Sequence, residues 1–436
     1  MRLRPLPRAG DQTGVESPVS EPRSILRRLA TATTLRQNLF YLVGIGGSGA
    51  GVLVAQSYGA HHLSPAANGE STSVVAVLNL LYTTSYVVAA GCAREVAAAL
   101  AQGGAPESHW ARLRRSGWRV GLVLGLTMVP VDVGLAIILH LPDPWILVVT
   151  IVAGPLAALG GSQRGYLQGA REFGRLAVNF LLYGGTMVVL AVVLLTLGLG
   201  AAAVPLASVA GALGSAVYPR HRRVAGAPAA ARPGPLVDGT VLAGAATAPI
   251  FNNIDVVAAR HVLSPTDAGL YSGLSIMGKI LFFGTSSLSA VMYPRIAAAT
   301  DPRTRRRLLL QTGAVLVGID LVVVVGYTVL SRPLLGLVLG HRYQSDSTLL
   351  LLFSLGIVGL TLVNLLVYYS MGSRDRSFAL VPAIGVPLLI AWLFTSPPHL
   401  ADFVPRIASA LLILGVLEAL VVLPKALGAR SQPRRS

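Results

Sequence analysis

The stretches "LSPAANGE" (63–70) and "LSPTDAGL" (263–270) open with the same Leu-Ser-Pro and set a Gly four residues beyond the Pro, two hundred residues apart in one chain of 436. Around each copy the sequence is apolar over lengths near the roughly 20 residues that a helix needs to cross a bilayer. Such stretches fall near 37–58, 70–91, 117–140, 145–165, 176–197 and 200–218, and again near 236–260, 267–292, 308–331, 347–371, 378–396 and 403–424. The two copies therefore occupy the same place, the turn between the first and second spans of two six-span sets. There Pro is expected to end one span and Gly to ease entry to the next.

A true duplication should echo elsewhere at nearly the same offset, and it does. "AREVAAA" around Arg94 matches "PRIAAA" around Arg295, and "QGARE" at Gly169 matches "MGSRD" at Gly372. Asp132, thirteen residues after Arg119, matches Asp320, thirteen after Arg307. An even number of spans makes the repeat parallel, with its axis along the membrane normal. The expected fold is an all-α integral membrane protein of about twelve transmembrane helices in two six-helix lobes related by a parallel pseudo-two-fold repeat. Its parts are a disordered tail (1–34), a first lobe (35–220), a linker (221–235), a second lobe (236–424) and a basic tail (425–436).

Composition agrees: 53% of residues are hydrophobic, 12% are charged, and mean hydropathy is +0.66. The net charge of +17 is concentrated in short clusters between spans rather than along one polar face, which speaks against nucleic acid as a partner. Thirty of the 35 Lys and Arg fall in alternate loops and the two tails, so those segments are expected to be cytoplasmic. Arg260, Arg332, Arg342 and Arg406 are the exceptions on the opposite side, and Lys279 lies within a span. The expected location is the cytoplasmic (inner) membrane, multi-pass, with both termini inside. The N-terminal tail lacks the order of a signal peptide. One cysteine, Cys92, excludes an internal disulfide.

Ionisable groups inside spans are costly when they face lipid, so each is a functional candidate. Asp255 follows Asn252 and Asn253, and on a continuous helix Asn252 and Asp255 share one face. They could hold a cation or proton, receive sugar hydroxyls, or seal the two lobes together. Lys279 could hold a diphosphate or pair internally with Asp255. Asp132, Asp320 and Glu418 read as structural acids, the first two as partners for the backbone of a helix broken near Pro130. Arg36, Arg94, Arg164 and Arg295 near the inner mouth could attract an anionic lipid, or simply obey the positive-inside rule. Tyr82, Tyr86 and Tyr271 could stack on sugar rings or belong to an interfacial belt.

The run "NNIDVVAARHVLSPTDAGLYSGLSIMGKILFFGTSSLSAVMYPRIAAA" (252–299) resembles the seventh and eighth spans of the polysaccharide-biosynthesis branch of the multidrug/oligosaccharidyl-lipid/polysaccharide (MOP, MATE-like) exporter superfamily. A polar step, a short outer loop, "aGlYs" and a closing "Pr" follow in that family's order. "RGYLQGAREFGRLAVNFLLYGG" (164–185) is similar to its fourth-to-fifth span junction. The resemblance implies a flippase that carries a polyprenyl-diphosphate-linked glycan across the membrane by alternating access. It also implies membrane lipids and polysaccharide polymerase or glycosyltransferase machinery as partners, with the transporter itself a monomer. On that reading Lys279, Asn252, Asn253, Tyr271, Tyr82, Arg36 and Arg164 meet substrate and Asp255 couples an ion. The alternatives are an ion-coupled multidrug or cation antiporter, with an acidic aromatic cavity, and a non-transporting scaffold for cell-wall machinery. No phosphate loop, metal cluster or large outer loop suggests an enzyme, and no cofactor or metal is expected.

Overall fold

In the computed structural model of the protein, residues 21–101, 107–218, 249–299, 301–373, 375 and 380–428 are described. They are helical almost throughout: α1 (Glu21–His62), α2 (Pro65–Ala101), α3 (Glu107–Ile138), α4 (Val148–Gly169), α5 (Phe173–Thr196) and α6 (Ala203–Ala216) form one lobe. The other consists of α7 (Ile254–Val262), α8 (Pro265–Ala298), α9 (Pro302–Val329), the short α10 (Ser331–Leu339), α11 (Ser347–Ser373), α12 (Leu380–Phe394) and α13 (Leu400–Gly428). Eight helices are long and apolar enough to cross a membrane, while α6 and α12 are shorter apolar helices. The linker expected at 221–235 and the start of the seventh span, 236–248, lie outside the described residues.

Both lobes repeat one packing scheme. In the first, α1 packs on α5, α2 and α3 on α4, and α6 on α4 and α5; in the second, α7 packs on α12, α8 and α9 on α11, and α13 on α11 and α12. The interlobe contacts obey the same symmetry. α2 packs on α8 along the axis, and α1 meets α8 as α7 meets α2. The third helix of each lobe, α3 or α9, is the least buried of its set and turns Val123, Leu126, Leu321 and Val322 outward. In a bilayer, lipid covers those side chains at no hydrophobic cost. Close helix seams are made by small residues: Cβ atoms added at Gly161, Gly165 and Gly169 of α4 would collide with the α2 backbone at Ser85, Ala89 and Ala93.

Several helices overrun the hydropathic spans at the arginine-rich end. α1 begins at Glu21, inside the stretch read as a tail, α2 continues to Ala101, and α3 starts at Glu107. Hydropathy marks where lipid ends, whereas Arg, Glu and Ala carry the hydrogen-bond ladder on into water.

At the other end the Leu-Ser-Pro turns have nearly identical geometry. Ser64 accepts from Ala67 N at 3.3 Å and Ser264 from Asp267 N at 3.1 Å, each as an N-cap followed by Pro. Leu63 N and Leu263 N each close the preceding helix at 2.9 Å. Pro therefore starts the second helix rather than ending the first, because its missing N–H costs nothing at that position. Gly69 and Gly269 are not turn residues either. They lie one turn inside α2 and α8, where the two lobes touch backbone to backbone. A Cβ on Gly69 would sit 2.8 Å from Gly269 N, and one on Gly269 would overlap Pro65 O.

Candidate functional site

The Leu-Ser-Pro end is a latch between the lobes. Arg260 of the second lobe donates through Nε to Leu139 O at 3.0 Å and through Nη2 to His140 O at 3.3 Å, and His261 Nδ1 lies 2.9 Å from Ile138 O. Arg342 Nη1 donates to Leu63 O at 3.0 Å, Asn68 Nδ2 to Tyr343 OH at 3.0 Å, and Ser57 Oγ to Val338 O. The His140 and His261 rings stack across the interface, 5.4 Å apart. These bonds explain why Arg260 and Arg342 depart from the charge rule. Each neutralises carbonyls at the C-terminal end of a helix of the opposite lobe, α3 or α1, where the helix dipole is negative. Arg406 does the same for α12 within its own lobe, bonding Trp392 O at 3.3 Å and Thr395 O at 3.1 Å.

Deeper in the second lobe, the seventh span is broken. Residues 249–251 are helical, Asn252 and Asn253 form a turn, and α7 restarts at Ile254, so Asn252 and Asp255 do not share the face of a continuous helix as expected. Asn253 bridges the break: its Nδ2 donates to Pro249 O at 2.8 Å and its Oδ1 accepts from Asn79 Nδ2 of α2 at 3.0 Å. A carboxamide holding a freed carbonyl is how an interrupted helix survives in lipid.

Asp255 and Lys279 are each only 3% exposed. Tyr271 OH donates to Asp255 Oδ2 at 2.6 Å, whereas Asp255 Oδ1 and Lys279 Nζ have no hydrogen-bond partner among the described residues. Lys279 and Asp255 attract each other electrostatically but are not joined by an ion pair. Tyr271 is fully enclosed, edge-on to Phe353 at 5.6 Å and Phe403 at 5.0 Å. Its ring is therefore core in this conformation, not a cavity wall on which a sugar stacks, because its hydroxyl holds Asp255 and its faces hold phenylalanines. Asn252 is buried as well.

The first lobe holds the open polar cluster. Arg164 of α4 donates through Nε to Asn179 Oδ1 at 3.0 Å. Asn179 is fixed in turn by Nδ2 to Ser215 O at 2.8 Å and by Ser215 Oγ at 2.7 Å. The guanidinium carbon lies 4.6 Å from the Phe180 ring centre and 5.6 Å from that of Tyr183. Tyr82 of α2 meets Tyr183 edge-on at 6.1 Å, and both hydroxyls reach Ser208 Oγ at 3.4 Å. Arg164 is half-buried, with no acidic partner and no hydrogen bond to its Nη atoms among the described residues. Tyr86, one turn along α2, is exposed. Sequence reasoning found Arg164 and Tyr82 but passed over Asn179, Tyr183, Ser208 and Ser215. The signal was there in "VNFLLYGG", uncharged polar groups recurring at four-residue spacing within an apolar helix.

Of the structural acids, Asp132 accepts from Thr150 Oγ1 at 2.7 and 2.8 Å, and Asp320 from Thr361 Oγ1 at 2.7 Å. In both lobes the acid of the third span thus meets a threonine of the fourth. The expected backbone bonding near Pro130 is not what the acid does: α3 runs on through Pro130, and the Asp132 carboxylate is taken up by the Thr150 hydroxyl instead. Glu418 is fully buried, and neither of its oxygens has a partner. Arg94 and Arg295 are exposed at the arginine-rich end, and the side chain of Arg36 lies outside the described residues. No group of His, Cys, Asp and Glu capable of holding a metal occurs among the described residues.

No protein-family model matches the chain, and no curated protein does. Solved structures do. The chain is similar to an inward-facing multidrug resistance MATE family transporter of the MOP superfamily, with a TM-score of 0.67 at 12% identity over 88% of this chain and 98% of that one. It is also similar to a MATE structure in the bent conformation, with a TM-score of 0.60 at 12% identity over 93% and 98%. An outward-facing MATE family transporter gives 0.57 at 13% identity over 90% and 95%. The fold is that of the MATE-type transporters, and a two-lobed layout of about twelve helices is consistent with it.

Proposed function

We propose that this chain is an alternating-access transporter of the cytoplasmic membrane that carries a polyprenyl-diphosphate-linked glycan. The Leu-Ser-Pro end faces outward, and the tails and the arginine-rich loops face the cytoplasm. The latch at the Leu-Ser-Pro end and the higher similarity to the inward-facing than to the outward-facing relative support a state closed to the outside.

The observation that carries the choice of substrate is the environment of Arg164. A guanidinium with free Nη atoms suits a diphosphate, and the adjoining tyrosines, asparagine and serines suit sugar rings and hydroxyls. A cation of this kind repels cationic drugs. Lys279 lies in the opposite lobe, buried beside Asp255, and a rearrangement of the second lobe that freed it from Asp255 would add a second cation for the same diphosphate. The multidrug antiporter remains as a second reading, favoured by the multidrug resistance role of the inward-facing transporter that the chain resembles and by the oxygen of Asp255 that has no partner among the described residues.

Reconstituted vesicles holding a fluorescent polyprenyl-diphosphate glycan test the choice. Wild-type protein should move it between leaflets, Arg164→Ala should slow this at least tenfold, and Arg164→Lys should restore part of it. Movement that is unaffected by Arg164→Ala, or drug-cation transport without glycan movement, would favour the antiporter.

A further inference from the structure

Glu418 has no place in the transport path outlined above, yet its position is chemically demanding. It is fully buried in α13, and neither carboxyl oxygen has a hydrogen-bond partner among the described residues. One turn further along the same face of α13, Val422 and Ala426 line a half-open recess of about 210 Å³ at the arginine-rich end of the second lobe. Arg305 of α9, Tyr369 and Ser373 of α11, Asp375 and Lys425 complete its wall. Ser370, one turn in from Ser373, is also fully buried with an unpartnered Oγ. Glu418 and Ser370 thus each stand one helical turn from a residue of the recess wall, Val422 and Ser373, and neither has a hydrogen-bond partner among the described residues.

An ionised carboxylate without a partner is not tolerated among apolar side chains, and here Val422 and Ala426 pack with Met292, Ile296, Leu309, Leu365 and Leu366. The carboxyl must be neutral or hold a cation. One carboxyl and one hydroxyl fall well short of the six or so oxygens that a metal ion collects, so the ion that fits is a proton. We infer that Glu418 is a proton-carrying site of the second lobe, loaded and emptied through the recess at the arginine-rich end. On release, the O–H bond of the Glu418 carboxyl breaks, the electron pair stays on the carboxylate, and the proton passes to water in the recess.

The charges around the path set the balance. Arg305, whose Nε is held by Ala299 O at 2.8 Å, and Lys425 are the cations of the recess wall. Asp375, with Oδ2 3.7 Å from Lys425 Nζ, is the acid of the recess wall. Tyr369, Ser370 and Ser373 add hydroxyls but no charge at neutral pH. The first lobe has no counterpart, since α6 contains no acidic residue.

The test uses the full-length protein in lipid vesicles and dicyclohexylcarbodiimide, an apolar reagent that modifies protonated carboxyls, with the labelled residue located by mass spectrometry. Glu418 should be labelled at neutral pH, and above its midpoint labelling should fall by about tenfold per pH unit. Ala426→Phe, which fills the recess, should slow the response of labelling to a pH jump, and Glu418→Gln should abolish labelling at this position while leaving the fold intact. Labelling that does not change with pH would make Glu418 a permanently neutral structural acid and overturn the inference, as would absence of labelling at any pH. If Ala426→Phe does not fold, Ser373→Phe blocks the same recess from α11; an unslowed response in the folded blocked variant refutes the path. These readouts require no transported substrate, so they stand or fall separately from the glycan assignment.

Discussion

Substituting Gly269 by Ala should open the latch. The added Cβ overlaps Pro65 O, a backbone atom that cannot rotate away. Relieving the overlap requires a carbon-to-oxygen separation of about 3.3 Å, so α2 and α8 must part by more than about 1 Å at this end. Three interlobe bonds now at 3.0 Å, from Asn68 to Tyr343, from Arg342 to Leu63 O and from Arg260 to Leu139 O, would then exceed bonding distance. At about 1 kcal/mol each, the closed state loses about 3 kcal/mol, which lowers its population relative to the open state by about a hundredfold. Spin labels at Ala66→Cys and Thr266→Cys in a Cys92→Ala background report the interlobe distance, and in Gly269→Ala the distribution should shift to longer values. Gly69→Ala should shift it less, because its Cβ needs to move only from 2.8 Å off Gly269 N. Wild-type distances in Gly269→Ala would refute the assignment of the glycine pair as the closing contact.

Asn253→Ala removes the bond to Pro249 O and strands the Asn79 amide; thermal unfolding in detergent should show a loss of about 1–3 kcal/mol, and Asn253→Asp, which still accepts from Asn79, should lose less. At the head of α9, Asp301 accepts from Arg303 N at 3.3 Å and from Thr304 N at 3.1 Å, and these backbone N–H groups hold its carboxyl below the ordinary aspartate value. A lowered pKa means that the cap's contribution is present above the unfolded-state value and is lost as pH falls through the folded one. Asp301→Ala should therefore weaken protection of the first amides of α9 from hydrogen exchange at neutral pH, and the difference from wild type should shrink as the pH falls into the acid range.

The twelve spans and the repeat were legible because lipid imposes a simple demand, one apolar run of fixed length per crossing, and because duplication copied the loops in register. Asp132 and Asp320 were paired correctly by spacing, yet their partners were not, since Thr150 and Thr361 belong to other helices. The break at Asn252 and Asn253 escaped detection for a related reason. A hydropathy window averages over Pro249 and both asparagines and sees a weak span where the backbone makes a turn. Tyr271 could be read from the sequence as a sugar-stacking or an interfacial aromatic, whereas packing between Phe353 and Phe403 encloses it in this conformation.

By itself, then, the sequence determined the all-helical membrane fold, the two-lobed symmetry and the identity of the costly buried charges, all of which follow from local apolarity and spacing. Tertiary structure alone decided which of those charges are enclosed and which are open. It left the guanidinium of Arg164 half-buried without an acidic partner, enclosed Asp255 and Lys279, and brought Gly69 against Gly269, because burial and contact depend on how helices distant in the chain cross. The repeated Leu-Ser-Pro stretch belongs to both levels: its spacing reveals the duplication, and only the crossing of α2 and α8 shows that its two glycines form the place where the duplicated halves close.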